Sequence, residues 1–174
     1  MYLLYGDATG VPGPVTIYDM GADVGIHFTL SNNLGTSGEA IITGQTMRGI
    51  GDLNGDGLDD FALGTHWNDR VYVIFGREGN DVGALDLVTL DSNETRGDLG
   101  FVIRSGNSAY FASSVSGGDL NNDGYSDLIV GDIDGGNGAD GTYYVLYGRE
   151  GAGDSTVWDN MRALRPSQGG LVYG

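Results

Sequence analysis

Two stretches of this sequence gather oxygen-bearing side chains at a spacing suited to one hard cation. The first is Gly51-Asp52-Leu53-Asn54-Gly55-Asp56-Gly57-Leu58-Asp59-Asp60-Phe61-Ala62-Leu63-Gly64. The second, 67 residues further on, is Gly118-Asp119-Leu120-Asn121-Asn122-Asp123-Gly124-Tyr125-Ser126-Asp127-Leu128-Ile129-Val130-Gly131. Counted from the first Asp, positions 1, 3 and 5 are Asp, Asn and Asp in both copies. Alternate side chains on a tight loop point toward one centre, and Ca²⁺ takes six to eight oxygen ligands in flexible geometry. Gly at position 6 permits the sharp turn, position 7 offers its backbone carbonyl, and position 9 closes the shell. The expected metal ligands are Asp52, Asn54, Asp56, the Leu58 carbonyl and Asp60 in one site. In the other they are Asp119, Asn121, Asp123, the Tyr125 carbonyl and Asp127. Asp59, at position 8, is matched by Ser126 and reads as a solvated bystander. Mg²⁺ suits the set less well, because it keeps several waters and few carboxylates.

The loops have two rival readings. An EF-hand or dockerin-type loop needs an oxygen ligand at position 12 and a helix running outward. Position 12 is Leu63 in one copy and Val130 in the other, inside apolar runs, so that reading fails. The plainer alternative is that Asp, Asn and Gly simply make turns. Two copies with one ligand spacing, each leading into the same kind of run, favour the cation.

The loops belong to a longer repeat. Val71-Tyr72-Val73-Ile74-Phe75-Gly76-Arg77-Glu78-Gly79 matches Tyr144-Val145-Leu146-Tyr147-Gly148-Arg149-Glu150-Gly151, and Tyr2-Leu3-Leu4-Tyr5-Gly6 repeats its core. A weaker element, Gly38-Glu39-Ala40-Ile41-Ile42-Thr43-Gly44, resembles Gly100-Phe101-Val102-Ile103-Arg104-Ser105-Gly106, and Gly170-Leu171-Val172-Tyr173-Gly174 is a third version of it. Each unit of about 70 residues therefore holds several short strands, as one four-stranded propeller blade does. The near-continuous apolar runs after the loops predict inner strands buried on both faces. The expectation is an all-β chain of β-propeller blades. It has a repeat over about 7–76, a second over about 77–148 and a partial repeat over 149–174. Two full blades with pieces at both ends fall short of the roughly 4–8 that close a propeller. The chain thus reads as a fragment of a larger propeller, or as a protomer that completes blades with its neighbours through unpaired terminal strands.

Composition agrees with that class. Gly is abundant at 33 residues in 174, with 10 Tyr and only 3 Pro, which suits many short strands joined by tight turns. The formal charge is −16, from 24 acidic and 8 basic residues, all of the latter Arg. Nucleic acid and anionic membrane would repel such a chain, whereas cations would relieve its self-repulsion. With no Cys there is no disulfide and no thiolate metal site. No stretch approaches the 18 or more apolar residues of a membrane span. The opening residues have no basic start and do not read as a secretory leader, so a secreted form is expected to be mature or excised from something longer.

The loop with its following strand, Gly-Asp-Leu-Asn-Gly-Asp-Gly-Leu-Asp-Asp-Phe-Ala-Leu-Gly and then Val-Tyr-Val-Ile-Phe-Gly, resembles the FG-GAP repeat of integrin α-subunit propellers and their bacterial relatives. Tyr110-Phe111-Ala112-Ser113-Ser114-Val115 resembles the Phe-Gly stretch ahead of the loop, with Ala112 in place of Gly. Gln45-Thr46-Met47-Arg48 in the first repeat lacks that element. The resemblance spans residues 38–148 and implies a calcium-stabilised propeller, extracellular or at the cell surface, serving an adhesive or ligand-binding surface. The family's calcium positions fall on the ten residues already named, and it brings no catalytic residue.

Other features carry less. Arg96-Gly97-Asp98 spells a tripeptide that some integrins bind, but it precedes the strand predicted from Phe101, where Gly and Asp serve a turn. Asp132, Asp134 and Asp140 lie in a longer loop that could hold a cation, with a solvated turn the favoured reading. His27 and His66 have no partners patterned for zinc or a nucleophile triad. Trp67, Trp158 and the tyrosines could line a carbohydrate site, though packing is the commoner use. The functional expectation is a non-enzymatic module acting in adhesion, ligand binding or self-assembly. Its partners would be a protein or carbohydrate at a cell surface, or copies of itself. The alternatives are a structural subunit that oligomerises or forms filaments by completing blades, and a part of a secreted polysaccharide-active enzyme.

Overall fold

The computed structural model describes residues 2–4, 25–29, 46–65, 69–79, 84–87, 90, 99–105, 110–133, 141–151 and 169–173. These form three sheets. The first joins β1 (Tyr2–Leu4), β2 (Gly25–Thr29) and β6 (Ala84–Asp86) in the order β1-β2-β6, with β6 parallel to β2. The second holds β3 (Thr46–Gly51), β4 (Asp60–Thr65), β5 (Arg70–Ile74) and β7 (Gly100–Arg104) in that order. The third holds β8 (Phe111–Gly118), β9 (Asp127–Asp132), β10 (Thr142–Leu146) and β11 (Gly169–Tyr173). The chain is all-β in this sense, as expected.

Sheet membership does not follow the repeat edges. β7 lies in the second repeat yet closes the sheet of the first, pairing Ile74 with Gly100. β11 closes the third sheet in the same register, Leu146 with Gly169, and β2 pairs with β1 as Leu4 with Gly25. One antiparallel hand-over, last strand of one unit to a Gly-led strand of the next, thus recurs three times. At the two ends, β1 pairs with β2 and β11 with β10, and each lies at an edge of its sheet among the described residues. The weak element at Gly38–Gly44 lies outside the described residues, and Gly25-Ile26-His27-Phe28-Thr29 fills the place in the first sheet that Gly100–Arg104 fills in the second.

The sheets stack face to face with the second in the middle, because alternate residues of its strands point to opposite sides. Ala62, Val71, Val73, Phe101 and Ile103 face the third sheet and meet Val115, Leu128, Val130, Tyr144 and Leu146. Leu63, Tyr72, Ile74 and Val102 face the first and meet Ile26, Phe28 and Leu85. Burial on both faces explains the continuous apolar runs. Edge-on aromatic contacts mark both layers, Phe28 to Phe61 at 5.4 Å and Phe111 to Tyr144 at 5.8 Å between ring centres.

Backbone proximity sets the spacing near the loops. A Cβ on Gly117 would lie 2.6 Å from the Ile50 Cα and 2.7 Å from its carbonyl oxygen, so β3 and β8 touch through backbone there. Ala112 adopts a left-handed φ of 65° where the β8–β9 register shifts between Phe111 and Ser114. That is the position where the family resemblance expects Gly, and the conformation gives the physical reason. Its carbonyl accepts a hydrogen bond from the Thr46 hydroxyl at 3.3 Å, tying the two sheets.

Candidate metal centres

Each acidic loop leaves the last residue of one strand and returns into the next, β3 to β4 and β8 to β9. Positions 4 and 6 are left-handed in both: Gly55 (79°) and Asn122 (60°), then Gly57 (87°) and Gly124 (93°). Gly suits that conformation and Asn tolerates it, which accounts for the Gly-to-Asn exchange at position 4.

The turns curl the backbone N–H groups inward over the first carboxylate. Asp52 Oδ1 accepts from the Gly55 and Asp56 amides at 2.7 and 3.1 Å, and Oδ2 accepts from Gly57 at 2.8 Å. Asp119 repeats this with Asp123 at 3.2 Å and Gly124 at 3.0 Å. The Asp56 amide also donates to Asn54 Oδ1 at 3.0 Å, while Asn54 Nδ2 donates to Asp56 Oδ2 at 2.9 Å. Asn121 and Asp123 form the same pair at 3.1 and 2.8 Å. Asp56 Oδ1 then accepts from the Leu58 amide, and Asp123 Oδ1 from Tyr125. Two separate segments therefore fold to one hydrogen-bond pattern, with positions 1, 3 and 5 drawn together in each.

Position 9 does something more. Asp60 and Asp127 are buried, and each carboxylate spans two backbone donors. Asp60 accepts from Leu53 N at 2.9 Å and Gly76 N at 2.8 Å; Asp127 accepts from Leu120 N at 2.9 Å and Gly148 N at 3.0 Å. Each thus fastens its loop to the Gly two residues past the end of β5 or β10. The sequence reading placed position 9 in the metal shell and missed this fastening, although the paired Gly-Arg-Glu-Gly segments were a signal that the spot recurs. Burial drives the Asp60 carboxyl up to about 6; Asp56 and Asp52 add to the rise, and the two amide bonds oppose it.

The loops differ in what covers them. The first is overlaid by the second repeat: Ser126 N donates to the Asp52 carbonyl at 2.8 Å, Arg149 N to Leu53 at 3.0 Å and Gly151 N to Asn54 at 3.0 Å. Leu53 is accordingly 0% exposed, whereas Leu120 at the same place in the second loop is 55% exposed. Asp59 is exposed, as a bystander should be.

As to fit, the oxygens at positions 1, 3, 5 and 9 all accept hydrogen bonds, and a carboxylate oxygen keeps a further lone pair for a cation. Among the described residues no three His, Cys, Asp or Glu side chains converge as a metal cluster by themselves. This holds for the three acids of each expected shell too, Asp52, Asp56 and Asp60 in one loop and Asp119, Asp123 and Asp127 in the other. Asp132 is buried at the end of β9 and His27 lies half-buried on β2. Arg96, Gly97, Asp98, Asp134, Asp140, His66, Trp67 and Trp158 lie outside the described residues. Among the described residues no helix is long and apolar enough to cross a membrane. Comparison with known proteins returns no matching family model and no matching curated protein.

Proposed function

We propose that this chain is a calcium-stabilised, non-enzymatic β-propeller-type module of the FG-GAP kind, with four-stranded blades. It would act outside the cell or at its surface in adhesion, ligand binding or self-assembly. The observation that carries the reading is the duplication. Two loops of identical acidic spacing fold to one hydrogen-bond pattern, each at the mouth of a sheet and each closed by a buried Asp. Burial is what chiefly pushes the Asp60 carboxyl up to about 6, with Asp56 and Asp52 adding to the rise. The part due to those neighbouring carboxylates is repulsion that a divalent cation offsets. Asp52, Asn54, Asp56, the Leu58 carbonyl and Asp60 would hold one ion, and Asp119, Asn121, Asp123, the Tyr125 carbonyl and Asp127 the other. The ions would be structural, linking strand ends and cancelling part of the −16 charge.

Thermal unfolding with calcium, with magnesium and with chelator tests this. Extracellular calcium modules bind at about 10⁻⁴–10⁻³ M. Calcium at about 100 times the dissociation constant adds roughly 2.7 kcal/mol per occupied site. A rise in Tm of several degrees with calcium, smaller with magnesium, is expected. The same Tm in calcium and in chelator would end the proposal.

A further inference from the structure

The third loop position is Asn in both copies, but the residue after it differs. Asn54 precedes Gly55, whereas Asn121 precedes Asn122. An Asn followed by Gly is the pair most open to attack by its own backbone, because no side chain shields the next amide nitrogen and Gly turns freely. In that reaction the Gly55 nitrogen bonds to Asn54 Cγ and the Cγ–Nδ2 bond breaks. The side-chain nitrogen leaves as ammonia, taking up the Gly55 amide proton. Water then opens the cyclic imide. Opening at Cγ gives aspartate; opening at the main-chain carbonyl gives isoaspartate, with the backbone rerouted through Cγ. Either product carries one carboxylate more than Asn, and solvent water is the only other reactant.

The fold holds that peptide unit at every polar group. The Gly55 amide donates to Asp52 Oδ1 at 2.7 Å, and the Asn54 carbonyl accepts from Gly151 N at 3.0 Å. The Asn54 side chain is anchored too, with Oδ1 accepting from the Asp56 amide at 3.0 Å and Nδ2 donating to Asp56 Oδ2 at 2.9 Å. Attack needs Asn54 Cγ and the Gly55 nitrogen to rotate onto each other, a motion that these four bonds oppose. The overlay also dictates the Gly: its φ is 79°, and an added Cβ would run into the Tyr125 ring of the second loop. The residue that makes Asn54 labile is thus the one that lets the second repeat cover it. In the uncovered loop Asn121 is exposed, and Asn122 follows it. We propose that Asn54 is a modification site that the second repeat keeps closed. Once the loop opens, Asn54 converts through the imide, and the isoaspartyl product cannot refold into the loop. Its extra backbone carbon displaces the Gly55 amide from Asp52, and its new carboxylate lies between Asp52 and Asp56. The inference needs no metal, so it stands apart from the calcium reading.

Incubation of the whole chain with chelator at mildly alkaline pH, with and without unfolding urea, followed by peptide mapping, reads the conversion at each Asn. In urea Asn54 should keep pace with Asn137, which also precedes a Gly and lies outside the described residues, and Asn121 should trail both. In the folded chain Asn54 should convert about tenfold more slowly or less, because only the opened loop reacts. Asp52→Ala removes the acceptor of the Gly55 amide and should speed the folded-state conversion about tenfold, with circular dichroism confirming the fold. Should that variant fail to fold, the parent across a urea series decides: its rate should follow the unfolded fraction. The isoaspartyl form, separated by its added charge, should unfold at lower urea than the parent. Equal rates in folded and unfolded parent overturn the inference. So does unchanged or slower conversion in folded Asp52→Ala, the slower result making that carboxylate the base of the attack. An isoaspartyl form with the parent's midpoint overturns it as well.

Discussion

Asp127→Ala in chelator isolates the part that position 9 plays without any metal. The carboxylate accepts from Leu120 N and Gly148 N at 2.9 and 3.0 Å. Gly148 is buried beside the Ser126 and Leu53 carbonyls, so loss of the carboxylate takes away the buried acceptor of its N–H at a cost of up to about 1–3 kcal/mol. The Leu120 amide belongs to an exposed residue and can turn to water, so its loss is nearer the net value of about 0.5–1.5 kcal/mol. The sum is about 1.5–4.5 kcal/mol, a large share of a small domain's stability. Asp127→Asn should cost less, because its amide oxygen keeps one of the two bonds. Urea unfolding followed by tyrosine and tryptophan fluorescence, with chelator throughout, measures the difference. If Asp127→Ala unfolds within about 0.5 kcal/mol of the parent, the fastening role is refuted. A loss seen only when calcium is added would make Asp127 a metal ligand and nothing more.

Two further outcomes follow from local geometry. The Asp60 carboxyl titrates at about 6 in the fold against 3.8 in an open chain, so its ionisation opposes folding. Its contribution is fully present below 3.8 and is lost as pH rises through 6, so metal-free protein should gain about 1 kcal/mol from this group between pH 7 and pH 5. Urea midpoints of the parent and Asp60→Asn at the two pH values measure it, and equal shifts in both would refute the assignment. Gly117→Ala should cost about 1–3 kcal/mol, because the new Cβ meets the Ile50 backbone at 2.6–2.7 Å, while Gly49→Ala, open to a distance of 4 Å, should change stability by less than about 0.5 kcal/mol. Similar Tm values for the two variants would show that β3 and β8 can separate freely.

Much of the site was legible because its physics is local. The bonds that shape each loop run between residues two to five apart, from Asp52 to Gly57 and from Asp119 to Gly124, and turn chemistry at that range is written in residue type. The same holds for the strands after the loops, whose unbroken apolar character follows from burial on both faces. β2 was harder to read. Gly25-Ile26-His27-Phe28-Thr29 has a strand's alternation and an opening Gly like that of Gly100-Phe101-Val102-Ile103-Arg104, but His and Thr dilute the apolar signal that marks the other strands.

By itself the sequence determined the all-β class, the repeat and the two acidic turns, since each depends on periodicity or on turns closed within a few residues. Tertiary structure alone decided the rest. β7 and β11 close the sheets of the units before them, and hydrogen bonds between distant strands leave no local mark. Asp60 and Asp127 reach Gly76 and Gly148 only because the strand between returns to the loop. Leu53 and Leu120 share one motif position, yet one is buried and the other open, because burial depends on whether a further sheet lies over it, which residue type does not encode.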